Sequence, residues 1–184
     1  MRQHNGMRPQ DIVVLVKMVL WENREWQFQE LARALYISPA EVSESVNRSS
    51  FAGLVNHQRK KVHRLSFLEF LQFGMPYVFP QAPGPLTRGM ITGHSHPYFN
   101  KGIISSELYV WPEVNGIDYG QAIEPFYAKQ VKAAREDERL YEILAVLDVI
   151  RTGKSREKKM AIEYLHEFFK HESSSTYYEN HGRL

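Results

Sequence analysis

The sequence contains no cysteine, and this absence excludes disulfide bonds, thiolate nucleophiles and cysteine-ligated zinc sites. Long apolar runs are also missing, because the stretch from Ile12 to Trp21 is too short to span a membrane and contains Lys17. No apolar signal segment precedes Pro9. We therefore expect a soluble, cytoplasmic protein without a membrane partner.

A strong charge of one sign is absent as well, since the 184 residues carry a formal net charge of only +2. This value alone does not indicate a nucleic-acid partner. The charge is unevenly distributed, however, because four of the ten Lys and Arg residues in positions 1–70 lie between Arg59 and Arg64. The sequence thus has one local basic segment, within a chain whose 43% hydrophobic residues predict a globular core.

Apolar residues with helical spacing predict three helices in the first third of the chain. The first runs from Pro9 to the polar break at 22–25, the second from about 27 to 35, and the third from 39 to about 52. Only a short turn separates the second helix from the third.

The third helix has the clearest start signal in the sequence. Ser38 is suited to the N-cap, Pro39 to the first helical position, and Glu41 to the reciprocal position of a capping box. Gly53 supplies a C-terminal stop. These signals predict a well-defined helix that ends close to Gly53.

A basic hairpin is predicted directly after this helix. Residues 54–56 and 62–64 form two short strands, and the turn between them, 57–61, is basic. Ser66 can then cap a fourth helix. Apolar and aromatic residues follow in the stretch 67–79, where we expect ordinary core packing in preference to a small-molecule pocket.

Proline interrupts the middle of the chain, since seven of the nine prolines lie between Pro76 and Pro125. No long helix can continue through such a segment. It predicts short strands at 103–104, 108–111 and 119–123, with a turn at Asn115-Gly116 between the last two.

The last third of the chain returns to helical patterns. Helices are predicted at about 128–134, 137–151 and 155–170, and the polar end of the chain is expected to fray. The second of these helices carries an apolar stripe that we interpret as a homodimer surface: Leu140, Ile143, Leu144, Leu147 and Ile150.

These elements predict an α+β protein that is mainly α. We expect an N-terminal winged helix-turn-helix domain at 1–79, a Pro/Gly-rich segment with short strands at 80–125, a C-terminal helical region at 126–172 and a flexible tail at 173–184. The order of three helices, a strand, a basic turn and a strand is typical of the winged helix-turn-helix.

In such a domain the third helix reads the major groove, and the hairpin, or wing, contacts the backbone or the neighbouring minor groove. The recognition helix is then about 39–52 and the wing about 54–64. The residues predicted to bind DNA are Ser38, Ala40, Ser43, Glu44, Asn47, Arg48, His57, Arg59, Lys60, Lys61 and Arg64.

Residues 26–43 resemble the helix-turn-helix motif of MarR-like and related bacterial winged-helix transcription regulators, and the resemblance covers about residues 8–75. It implies a homodimer that binds double-stranded DNA and regulates transcription, without catalytic activity or a cofactor. One position departs from the family, which usually has glycine where Tyr36 stands. The tyrosine must avoid a positive φ angle or bear its cost.

Two other functions stay open. Many winged helices bind proteins, so the chain is alternatively a protein-interaction or antitoxin-like module. A more remote alternative is a metal-dependent hydrolase that uses His94 and His96, which two-residue spacing would direct to the same side of a strand. Two ligands are too few for a metal site, and we expect a packed loop there.

Overall fold

The computed structural model describes residues 6–58, 61–99 and 107–179, with side chains described up to Lys170. The fold of these residues is mixed α+β and mainly helical, in agreement with the predicted class. Its helices are α1 (Pro9–Leu20), α2 (Phe28–Leu35), α3 (Pro39–Phe51), α4 (Arg64–Glu69), α5 (Met75–Val78), α6 (Gln130–Glu136), α7 (Glu138–Thr152) and α8 (Ser155–Glu179). A π-helical segment, Phe70–Gly74, joins α4 to α5.

Helices α1 and α7 form the centre of the molecule. Residues 11–19 of α1 and 143–151 of α7 are buried on all sides, as expected of helices inside a core. The two helices pack against each other, and α1 also packs against α3. A single apolar cluster therefore extends from Ile12 to Phe169.

A partly buried ion pair also joins these two helices. The Lys17 ammonium, on α1, bonds the carboxylate of Asp137. The second oxygen of Asp137 accepts a hydrogen bond from the Leu140 N–H at 3.0 Å and so caps the start of α7. One aspartate thus fixes both the first turn of α7 and its position against α1.

The apolar stripe of α7 is not a dimer surface. Its five residues, predicted to lie at the surface, are at most 1% exposed because they pack inside the same chain. The periodicity that indicated the stripe was that of a core helix, so the interpretation of these residues as an interface is wrong.

The middle segment forms a small sheet of β1 (Leu86–Ile91), β2 (Tyr109–Pro112) and β3 (Asp118–Ala122). Strand β1 pairs antiparallel with both other strands, so β2 and β3 run parallel to each other. The Gly116 N–H closes the expected turn on the Glu113 carbonyl at 3.0 Å. The turn is therefore where the sequence predicts it, although the two strands that it joins do not form an antiparallel hairpin.

Several boundaries differ from those predicted. Strand β1 was not predicted, and the proposed strand at 103–104 lies outside the described residues. Helix α4 begins at Arg64, which shortens the predicted strand at 62–64. Helix α8 continues to Glu179, through part of the predicted tail.

Candidate nucleic-acid interface

One face of helix α3 is held by the core, and the opposite face is exposed. Val42 and Val46 are fully buried. On the other side lie Ala40, Glu44 and Asn47, all exposed, and Ser43, which is half-buried. The helix therefore presents a mostly polar, narrow face to solvent, as the recognition-helix hypothesis requires.

The start of α3 has the capping box that the sequence predicts. The Ser38 hydroxyl accepts a hydrogen bond from the Glu41 N–H at 3.2 Å, and the Glu41 carboxylate accepts bonds from the Ser38 N–H and hydroxyl at 2.8 Å each. These bonds lower the pKa of Glu41, because they stabilise its charged form. Glu41 is thus an ionised carboxylate at the exposed N-terminus of α3.

Arg48 has a structural partner that the sequence did not reveal. Its guanidinium forms two hydrogen bonds, of 2.9 and 2.6 Å, with the two oxygens of Asp11, which is fully buried. Glu44 lies 3.7 Å from the same guanidinium. The side chain of Arg48 is only 12% exposed, so its charge is used to fix α3 to the start of α1.

The predicted wing is a minimal hairpin. It contains one antiparallel bridge, between Val55 and Val62, and a backbone hydrogen bond from the Asn56 N–H to the Lys61 carbonyl at 2.9 Å. His57 and Lys61 are exposed. Arg59 and Lys60, the other two cations predicted for this turn, lie outside the described residues.

Arg64, the last predicted DNA contact, is paired inside the protein. Its guanidinium bonds the Glu22 carboxylate and donates to the Phe169 carbonyl at 3.2 Å. The side chain is only 14% exposed. Arg64 therefore joins the start of α4 to the loop after α1 and to α8, as a structural residue.

The turn between α2 and α3 contains Tyr36 with φ 56° and ψ 35°, so the tyrosine does adopt the left-handed conformation that usually requires glycine. Its hydroxyl donates a hydrogen bond to Glu136 on α6, and the Lys132 ammonium lies 4.1 Å from the centre of its ring. The bond to Glu136 is the main reason why the pKa of Tyr36 is raised.

His94 and His96 each contact groups of the protein in the structure. Both are buried in the packed loop that we expected, and His94 bonds the Glu107 carbonyl at 2.9 Å. His96 packs edge-on against Tyr141 of α7, with ring centres 4.5 Å apart. No group of three potential metal-ligating side chains occurs in the described part of the chain.

An exposed apolar face on α4, the π-helical segment and α5 was not predicted. Leu65, Phe73 and Tyr77 are 78%, 65% and 85% exposed, whereas Phe67 and Leu71 of the same stretch are fully buried. The expectation of core packing therefore holds for one side of this stretch only. Such exposed apolar patches are typical of interaction surfaces.

Comparisons of the chain with protein-family models, with curated protein sequences and with solved structures found no significant match. In the described residues, no helix has both the length and the apolar character needed to cross a bilayer.

Proposed function

We propose that this protein is a cytoplasmic, sequence-specific regulator of transcription that binds double-stranded DNA as a homodimer. The observation that carries the proposal is the exposed polar face of α3, which Val42 and Val46 hold outward from the core. The basic turn that includes Lys61 follows α3 closely in the chain. A polar helix face beside a cationic turn matches the requirements of a winged helix-turn-helix domain in a DNA groove.

The predicted contacts with DNA fall into two groups. Asn47 and Ser43 have side chains suited to base edges, and Lys61 and His57, with Arg59 and Lys60, are suited to phosphates. Arg48 and Arg64 position α3 and α4 through their carboxylate partners and are not assigned to DNA.

Two carboxylates limit the affinity of this face. Glu41 and Glu44 are both exposed on α3, and they repel phosphates. In this proposal they keep non-specific binding weak, so that base contacts decide where the protein binds.

A salt titration of duplex binding tests the proposal. Each phosphate contact contributes to the slope of log affinity against log salt concentration, so replacing Arg59, Lys60 and Lys61 by Gln should flatten this slope by up to about three units. The control removes three exposed cations from the start of α8, Lys154, Arg156 and Lys159, which changes the net charge equally. Equal slopes for the native protein and the 59–61 variant would exclude the wing from DNA binding.

A second function is favoured by the exposed apolar face of Leu65, Phe73 and Tyr77. A protein-interaction or antitoxin-like module would use this face, and carboxylates on α3 would not oppose its binding. A variant with Ser at these three positions should then lose a copurifying protein partner and keep any DNA affinity. Duplex binding by both proteins, with no copurifying partner for either, would favour the regulator.

A further inference from the structure

Helix α2 ends in a hydrogen-bonded motif that requires a left-handed backbone conformation at Tyr36. The Tyr36 N–H donates to the Arg33 carbonyl at 3.2 Å, and the Ile37 N–H donates to the Ala32 carbonyl at 3.0 Å. These are the two hydrogen bonds of a Schellman motif, in which the residue at the Tyr36 position is left-handed and usually glycine. Among the described residues, Tyr36 is the only non-glycine residue with a positive φ.

Helix α6 supplies contacts that a glycine could not use. The Tyr36 hydroxyl donates to the Glu136 carboxylate, and the Lys132 ammonium lies over the Tyr36 ring at 4.1 Å. Lys132 and Glu136 are four residues apart, so they lie on the same side of α6. The tyrosine side chain is therefore held at its ring and at its hydroxyl, and both contacts come from one helix.

A second tyrosine fixes the last carbonyl of α2. Tyr127, in the loop before α6, donates a hydrogen bond from its hydroxyl to the Leu35 carbonyl at 2.8 Å. Carbonyls at the end of a helix lack partners within the helix. The segment 127–136 thus contacts two consecutive residues of the turn, Leu35 and Tyr36.

These contacts lie beside solvent. A groove of about 850 Å³ lies next to them, and its lining includes Tyr36, Ile37, Pro39 and Glu136. Tyr36 is half-buried and Glu136 is exposed. The hold of α6 on the turn can therefore be released without unpacking the core.

We propose that α6 acts as a positioning element that keeps Tyr36 in the left-handed conformation and thereby sets the orientation of α3. Tyr36, Lys132 and Glu136 are the positioning residues. The expected effect on duplex affinity rests on the proposed DNA-binding function. The expected effect on the conformation of the turn does not depend on that function. Release of Tyr36 from α6 would favour other conformations of the turn and lower the population of the binding geometry.

A double-mutant cycle on the full chain tests this inference. In Glu136→Ala, the amide of Ile37 should exchange its hydrogen about three- to tenfold faster, and duplex affinity should fall by a similar factor, because the tyrosine loses its anchor. In Tyr36→Gly the turn needs no anchor, since glycine adopts a positive φ readily. Adding Glu136→Ala to Tyr36→Gly should therefore change neither quantity. The matched control is Glu138→Ala, which removes an exposed carboxylate two residues away.

The outcomes separate the two proposals. If Glu136→Ala leaves the exchange of Ile37 unchanged, or if it speeds exchange and weakens duplex binding as much in the Tyr36→Gly background as in the native chain, the positioning role of α6 is overturned. If the native chain binds no duplex at all, the proposed DNA-binding function fails, and the exchange rates still decide whether α6 holds the turn.

Discussion

Asp11 and Asp148 are both fully buried, and each bonds an arginine, but they connect different parts of the molecule. Asp148 accepts hydrogen bonds from Thr92 at 2.7 Å, from the Trp111 indole at 2.6 Å and from Arg151 at 2.6 Å. It therefore ties the middle segment to α7, and its donors are themselves buried.

Asp11 lies at the start of α1 and also accepts three hydrogen bonds, but from two residues only. Besides Arg48, it accepts a hydrogen bond from the Arg8 N–H at 2.8 Å. Its arginine belongs to the helix whose other face we assign to DNA. Asp148 therefore stabilises the body of the protein, whereas Asp11 fixes the position of a surface helix.

The largest effect is expected for Asp148→Asn, because Arg151 would keep a buried charge without its counter-ion. Breaking a buried ion pair from one side costs about 3–5 kcal/mol. Urea denaturation should show a loss of unfolding free energy in this range. Glu163→Gln, which changes an exposed carboxylate of α8, is the control. A loss below about 1 kcal/mol would mean that the network around Asp148 does not stabilise the fold.

A smaller loss, of about 2–4 kcal/mol, is expected for Arg48→Met, since Asp11 retains the Arg8 N–H as a donor. The same variant should weaken duplex binding by displacing α3, although Arg48 itself is not assigned to DNA. Arg33→Met is the control, because Arg33 is exposed on α2. If Arg48→Met and Arg33→Met are equally stable, the ion pair between Arg48 and Asp11 does not stabilise the protein, and the role assigned to Asp11 is wrong.

The smallest expected effect is a pH dependence of stability that arises from His96, in the middle segment that Asp148 ties to α7. Burial lowers the pKa of His96, while Glu142 and Glu138 oppose the shift. The unfolded chain therefore takes up a proton at a higher pH than the folded one, and stability should fall as the pH drops below about 6.5. One such group contributes at most about 1.4 kcal/mol per pH unit.

Denaturation at pH 7 and at pH 5.5 measures this effect. His96→Gln should lose less stability between these two values than the native protein, whatever its stability at pH 7. The same pH dependence in both proteins would assign the acid sensitivity to another group.

The N-terminal helices could be predicted from the sequence because their signals are local. Ser38, Pro39 and Glu41 lie next to one another, and each acts on the same helix end. Local signals also gave the turn at Asn115-Gly116. Contacts between distant residues were beyond such reasoning: Arg48 looked like a reader of DNA because Asp11 is 37 positions away.

The sheet was difficult to predict for a related reason. A Cβ at Gly116 would lie 2.3 Å from the Gly89 backbone nitrogen, and a Cβ at Gly89 would lie 2.0 Å from the Trp111 carbonyl oxygen. The backbones approach so closely that only glycine fits at these positions. The close approach is between residues far apart in the chain. No alternating apolar pattern in the sequence predicts that β1 lies between β2 and β3.

The π-helical segment Phe70–Gly74 has a consequence for insertions and deletions. Phe67, Leu71 and Met75 are spaced by four and are all fully buried, so one side of this helical stretch faces the core both before and after the wider π-helical turn. Deleting one residue from this segment would restore ordinary helical winding and leave Met75 close to its present orientation, because the wider turn accommodates one extra residue. A deletion within α4, where no wider turn can absorb it, would instead rotate the residues that follow by about 100° and bring Phe73 or Tyr77 towards the core.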